Sequence, residues 1–196
     1  MILLARHGQT FWNRERRIQG RSESALTPLG ERQAAAMASL VADIVRRDAG
    51  PPWRLVSSPI GRAVQTATAI SRAADLPIEL DPRLAEIACG DWEGRLWDDV
   101  SAELPDSVPR DERFYLAPGG ETFDQVSDRV ADWLSGLPDE PDRRVIAVSH
   151  GVLGRHLRGA YGTFDRAALL SQDVPQDAIF RLWNGQIDRL DCEPVE

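Results

Sequence analysis

The chain has 196 residues, of which 42% are hydrophobic, and a net charge of -8. The length suits one domain with a real core, and the acidic balance argues against nucleic acid, whose binders carry basic faces. No apolar run approaches the roughly 18 residues needed to span a bilayer, no signal-peptide pattern opens the chain, and two cysteines suit a reducing compartment, so a cytoplasmic protein without a membrane partner is expected.

All 23 basic residues are arginine, so an anion site must use arginine, histidine or backbone amides. The first element is a short apolar run, Met1 to Ala5, read as a buried strand. It ends in Arg6-His7-Gly8, which puts a cation and an imidazole at a strand's carboxyl end, where open α/β sheets bind ligands. From Gln9 to Arg21 the chain is polar and carries Arg14, Arg16, Arg17 and Arg21, a solvated stretch or a basic rim. Thr27-Pro28 has the form of a helix start. Met37, Leu40, Val41, Ile44 and Val45 continue it at helical spacing, and Gly50-Pro51-Pro52 ends it.

Leu55 to Ser57 is a second strand, and Ser58-Pro59 opens a helix whose apolar face runs from Ile60 to Ala74. Arg62 then falls in the first turn of a helix that follows a strand, a favourable place for an anion. Pro77 to Leu80 reads as a third strand. Leu84 to Ile87 and the stretch Cys89 to Gly94 follow, then a short helix from Leu96 to Leu104. Residues 105–120 hold three prolines and two glycines, the composition of a long loop or lid. Thr122 and Gln125 form a capping box before a helix that buries Phe123, Val126, Val130, Trp133 and Leu137. Val145 to Val148, continuous and mostly β-branched, is the clearest strand and ends in Ser149-His150-Gly151, with helix to about Tyr161. Ile179–Trp183 and Ile187–Leu190, joined by Asn184-Gly185, form a β-hairpin.

Three strand ends thus present Arg6-His7, Arg62 and His150. Two arginines and two histidines on one sheet edge make a pocket for a dianion, because the guanidinium fork suits phosphate. A neutral imidazole there is a nucleophile, and a leaving oxygen needs a proton from a nearby carboxyl group. Glu86 is the candidate, with Asp91, Glu93 and Glu121 as rivals. His156 is expected on a helix surface, and Trp92 and Trp97 in lid packing. Cys89 and Arg95 have the Cys-x5-Arg spacing of cysteine phosphatases, but Asp91 and Glu93 would oppose both thiolate and anion. The histidines have no ligand-like spacing, so no metal is expected.

Arg6-His7-Gly8 with Thr10 and Asn13 resembles the signature of the histidine phosphatase (phosphoglycerate mutase-like) superfamily. Ser57-Ser58-Pro59, Arg62-Ala63, Gln65-Thr66-Ala67, Glu86, Gly90 to Gly94, Gly119-Gly120-Glu121 and Ser149-His150-Gly151 follow in that family's order. The resemblance implies an α/β fold, a three-layer αβα sandwich with a mostly parallel central sheet. It also implies one domain over residues 1–196 with a lid insertion at about 92–120, and no cofactor. His7 would be the nucleophile, Arg6, Arg62 and His150 the phosphoryl-binding groups, and Glu86 the proton donor. Asn13 and the Gly151 amide would contact phosphate, with Thr10, Gln19 and Gly20 beside the substrate. Gln9 departs from the glutamate frequent in the family.

The family holds both mutases and phosphatases. The lack of lysine and the short segment after Glu86 favour a phosphatase acting on a small phosphate ester. A mutase of the phosphoglycerate type and a non-catalytic binder of phosphorylated ligands are the alternatives. One of Arg14, Arg17 and Arg21 is expected to meet a second acidic group of the substrate.

Overall fold

The computed structural model describes residues 1–195. Strands β1 (Ile2–Arg6), β2 (Arg54–Ser57), β3 (Ile78–Leu80), β4 (Val145–Ser149), β5 (Ala178–Trp183) and β6 (Gln186–Asp191) form one sheet in the order β3-β2-β4-β1-β5-β6. β3, β2, β4 and β1 are mutually parallel, and β5 alone runs against its neighbours. The helices are α1 (Phe11–Arg14), α2 (Pro28–Arg47), α3 (Gly61–Ala74), α4 (Trp97–Ala102), α5 (Phe123–Ser135), α6 (Gly151–Gly162) and α7 (Arg166–Leu170).

Both faces of the sheet are covered, which is why its central strands are apolar throughout rather than alternating. Side chains still alternate in direction. Ile2 and Leu4 of β1 with Val145 and Ala147 of β4 pack on Val126, Val130 and Trp133 of α5 and Leu153 and Leu157 of α6. Leu3, Ala5, Ile146 and Val148 point the other way, onto Met37, Ala38 and Val41 of α2 and Ala63, Ala67 and Ile70 of α3. The result is the helix–sheet–helix sandwich that the sequence predicts.

Local signals behave as expected at most element ends. Thr27 caps α2 with Pro28 at its first position, and Thr122 and Gln125 complete the capping box of α5. Asn184 and Gly185 both have positive φ (52° and 74°), as a tight hairpin turn requires. Residues 105–120 are not loop throughout: Arg110–Leu116 forms a 3₁₀ helix. α7, capped by Asp165, carried no strong sequence signal; it spans five residues. Cys89 and Cys192 are both free. Among the described residues no helix is long and apolar enough to cross a membrane.

Candidate active site

β2, β4 and β1 are adjacent and parallel, so their carboxyl ends lie side by side. His7 leaves β1, His150 leaves β4, and Ser58 leaves β2 just ahead of α3, which carries Arg62 in its first turn. Their convergence is a consequence of strand order. All four side chains are buried, His7 and His150 at 2% exposure and Arg62 at 1%. A cleft of about 520 Å³ opens above them and is walled by Arg6, His7, Arg62, Glu86 and Gly151 at its base.

Each base residue is held by specific bonds. His7 Nδ1 lies 2.8 Å from the Gly8 carbonyl, an acceptor only, so Nδ1 carries the proton and Nε2 the lone pair. Arg62 Nε donates to that Nε2 at 3.2 Å, while its Nη1 and Nη2 donate to the carbonyls of Ser22 (2.8 Å) and Gly20 (2.7 Å). Gly8 sits so close to α2 that a Cβ there would lie 2.1 Å from the Gly30 carbonyl oxygen. His150 Nε2 is 2.8 Å from Ser58 Oγ. Among the described residues three buried side-chain polar atoms have no partner; Arg6 Nε and His150 Nδ1 belong to this site, and the third, Ser101 Oγ, lies in α4. Buried polar atoms are otherwise nearly always paired, so orphans clustered here mark a place built for a ligand's acceptor and donor atoms.

Glu86 follows β3 and a 3₁₀ turn (Pro82–Leu84), which Ser149 Oγ pins at 2.9 Å through the Leu84 carbonyl. Its carboxylate accepts from the backbone N–H groups of Ile87 (3.1 Å), Val152 (3.2 Å) and Leu153 (3.0 Å), and so also caps α6. The rival carboxylates are engaged elsewhere. Glu121 is gripped by Arg129 at 2.9 Å and paired with Arg21 at 3.1 Å. Glu93 takes bonds from Ser22 Oγ and the amides of Arg21 and Cys89. Burial opposes its charge, but these bonds outweigh it and hold its carboxyl below the usual range. Asp91 is exposed.

Asn13, Gln19, Gly20 and Gly151 line the cleft. Asn13 Oδ1 accepts from the Thr10 amide and from Gln176 Nε2, both at 3.1 Å, which leaves its amide nitrogen for a ligand. Thr10 does not line the cleft. It is fully buried, caps α1 by accepting from the Asn13 amide, and donates to Gln19 Oε1 at 2.9 Å. Its short hydroxyl is spent on holding Asn13 and Gln19. Gln176 is a supporting residue that sequence reasoning missed, and Ser58, quoted there within its motif, was assigned no role. Gln176 also donates to the His7 carbonyl at 3.1 Å, and nothing local to residue 176 announces it.

Other expectations are corrected. His156 is not on the surface: it is 1% exposed, bonded to Ser127 Oγ (3.0 Å) and Tyr115 OH (2.9 Å), because α6 packs on α5 on that side. Arg14 stacks over the Phe11 ring and Arg21 pairs with Glu121, so of the three arginines expected to meet a second acidic group only Arg17 reaches the cleft, where Arg16 also stands. Trp97 also lines it, stacked on Phe114 at 4.5 Å, while Trp92 is core. The Cys89 thiol is buried and pushed up by that burial, and Arg95 pairs with Glu103, so no thiolate cradle forms.

Burial, reinforced by Arg6 and Arg62, holds His7 well below its ordinary pKa of 6.5. Burial likewise depresses His150, and His156 to about 4. In the unfolded chain each histidine takes up a proton near pH 6.5, whereas the native protein does not. Below pH 6.5 the unfolded state therefore binds more protons, and stability falls as pH drops. Three such groups drive a slope approaching about 4 kcal/mol per pH unit, with His156 ceasing to contribute near pH 4. Urea unfolding at pH 7.5, 6.5 and 5.5 should show a modest fall in stability between the first two, about 1 kcal/mol, and a fall about three times as large to the third. An equal midpoint at pH 6.5 and 5.5 would contradict these assignments.

A mostly parallel sandwich with a histidine-and-arginine cleft at three adjacent strand ends is the architecture of phosphoglycerate mutase-like proteins. The chain belongs to the histidine phosphatase superfamily (branch 1), whose family model matches residues 2–182. It is 38% identical over 159 residues to a probable phosphoglycerate mutase, GpmB, of Cronobacter sakazakii, covering 77% of this chain and 69% of that one. It is 34% identical over 163 residues to glucosyl-3-phosphoglycerate phosphatase of Mycobacterium tuberculosis, covering 78% and 70%. Among solved structures, a mycobacterial glucosyl-3-phosphoglycerate phosphatase complexed with VO3 superposes with a TM-score of 0.75 at 30% identity, covering 97% of this chain and 96% of that one. Bacillus stearothermophilus YhfR superposes with a TM-score of 0.76 at 29% identity, covering 97% and 95%.

Proposed function

We propose that the protein is a phosphomonoester hydrolase that works through a phosphohistidine on His7. The observation that carries this reading is the tautomer of His7: Nδ1–H is committed to the Gly8 carbonyl, so the Nε2 lone pair faces the cleft beside Arg62. Nε2 attacks phosphorus and the ester P–O bond breaks. Glu86, protonated for this step, gives its proton to the leaving alcohol. Water then attacks the phosphohistidine, Glu86 takes the water proton, and phosphate leaves with His7 neutral again. Arg6, Arg62 and His150 hold the non-bridging oxygens, where charge develops, in a site largely closed to solvent at its base. Asn13 and the Gly151 amide supply further donors. Because burial and two arginines keep His7 unprotonated well below pH 6.5, the nucleophile persists on the acid side, as an acid phosphatase requires.

The relatives are named both as mutases and as phosphatases. Two features favour hydrolysis. The segment 105–120 is short for shutting out water while an intermediate reorients. The exposed residues Arg16, Arg110 and Asp111 stand among the cleft walls, so water can enter past them. A small phosphorylated metabolite is the substrate class, and the phosphoglycerate-based substrate named for the mycobacterial relative is a reasonable first trial.

The decisive experiment incubates the purified protein with 3-phosphoglycerate and with an aryl phosphate, and follows phosphate release and 2-phosphoglycerate together. Phosphate release should dominate. A quenched reaction should carry a label that is lost in acid and kept in base, as a phosphoramidate is. Isomerisation faster than release would establish the mutase reading, and an acid-stable label would remove His7 from its role.

A further inference from the structure

Arg62 has five N–H groups and uses three of them within the protein: Nε on His7 Nε2, and one each from Nη1 and Nη2 on the Ser22 and Gly20 carbonyls. One N–H on each Nη is left, a pair that fits two oxygens of a phosphoryl group. The two carbonyls set the direction of that pair, so whatever holds the loop of residues 20–22 aims Arg62. The next residue, Glu23, ties the same loop to the start of α3, its carboxylate accepting from the Gly61 amide at 2.9 Å.

Glu93 holds that loop. Residues 16–18 pair with residues 94–97: Arg17 and Leu96 form an antiparallel bridge, Ile18 N–H donates to the Arg95 carbonyl at 2.9 Å, and Gly94 N–H donates to the Ile18 carbonyl at 2.8 Å. This register brings residue 93 against residues 20–22. Glu93 Oε1 accepts from the Arg21 amide at 2.9 Å and the Cys89 amide at 3.0 Å, and Oε2 accepts from Ser22 Oγ at 2.5 Å. Cys89 belongs to the stretch that follows Glu86, so one carboxylate joins the loop that aims Arg62 to the segment that carries Glu86. The loop's other side-chain anchor is Arg21 on Glu121 at 3.1 Å, but that guanidinium is 47% exposed and its pairing correspondingly weak. Glu93 itself is not among the residues that wall the cleft.

We propose that Glu93 is a positioning residue for phosphoryl transfer, acting through the loop of residues 20–22 on the Arg62 guanidinium. This rests on the hydrolase reading above and adds to it a residue that touches no reacting atom. Arg62 meets the non-bridging oxygens, which every phosphate monoester carries, so loss of its alignment slows alkyl and aryl phosphates alike. That separates Glu93 from a proton donor, whose removal spares the aryl ester. The bonds to Glu93 need its shape more than its charge. In Glu93→Gln, Oε1 keeps both amides, and Nε2 in the place of Oε2 donates to Ser22 Oγ.

The test measures kcat/KM for an aryl and an alkyl phosphate, and the dissociation constant of orthovanadate by calorimetry. The proteins are wild type, Glu93→Ala, Glu93→Gln, Arg62→Gln and the double variant of Glu93→Ala with Arg62→Gln. Glu93→Ala should lose about tenfold to a hundredfold in kcat/KM with both esters, as a misaligned catalytic group does, and should bind vanadate more weakly. Glu93→Gln should stay within about fivefold of wild type, the equivalent of one neutral hydrogen bond. The double variant should be no worse than Arg62→Gln, since a residue that works through Arg62 has nothing left to align. Losses that multiply in the double variant overturn the proposal, as do unchanged rates in folded Glu93→Ala or a glutamine variant as impaired as the alanine one. If Glu93→Ala does not fold, Ser22→Ala replaces it in the same cycle, with a loss of about fivefold expected alone and none beside Arg62→Gln. If Arg62→Gln does not fold, the vanadate affinity of Glu93→Ala decides, and an unchanged value overturns the proposal. Should wild type release no phosphate from either ester, the hydrolase reading fails, and the vanadate constants over the same cycle still decide whether Glu93 aims Arg62.

Discussion

His7→Ala should abolish turnover of any phosphate ester, by more than about 10³-fold, while leaving the protein folded. His7 Nε2 is the nucleophilic lone pair at the base of the cleft, where it accepts from Arg62 Nε; the neighbouring ring, His150, has its Nε2 bonded to Ser58 and is not among the residues that line the cleft. Arg6 and Arg62 cannot replace the imidazole as nucleophile, because a guanidinium is a cation with no lone pair to offer. The base keeps its arginines, so the variant should still bind phosphate or vanadate, with altered affinity. Steady-state rates with an aryl phosphate, together with labelling by radioactive substrate, check this. A variant that still forms an acid-labile adduct would place the phosphoryl group on another residue.

Glu86→Gln is expected to cost on the order of 10²–10⁴-fold with an alkyl phosphate, and distinctly less with an aryl phosphate. The alkoxide is a poor leaving group and needs the proton in the transition state, whereas a phenolate leaves without one. Glutamine keeps the size of the side chain and one acceptor oxygen for the N–H groups of Val152 and Leu153, so the α6 cap survives in part. A pair of kcat/KM values for wild type and variant, one per substrate class, gives the result. Equal losses with both would shift the acid role to another group. The geometry offers no good second choice, since Glu121 is held by Arg129 and Glu93 by Ser22 and two amides.

Much of the fold was legible in the residues. Continuous apolar runs at Ile2–Ala5 and Val145–Val148 mark strands buried on both faces, and capping pairs such as Thr122 with Gln125 mark helix starts. These signals are local: a strand's periodicity and a cap's hydrogen bond involve residues a few positions apart. The same locality exposed Arg6-His7, Arg62 and His150, because each lies directly after a strand or in the first turn of the helix that follows one.

The tertiary structure decided everything that depends on which distant segments meet. Strand order put β4 between β2 and β1, and only that adjacency turns three separate strand ends into one cleft. Gln176 reaches His7 across 169 positions and Ser58 reaches His150 across 92, contacts with no local signature. Selection among the carboxylates was likewise long-range: Glu86 faces the cleft, while Glu121 is claimed by Arg129 and Arg21. Thr10 looked like a ligand contact and proved to be a cap, and His156 looked exposed and proved to lie against α5. The residue types that can do the chemistry are written in the sequence. Their partners, and hence which side chains remain free to act, follow from packing, because a polar group's availability is whatever its neighbours leave unsatisfied.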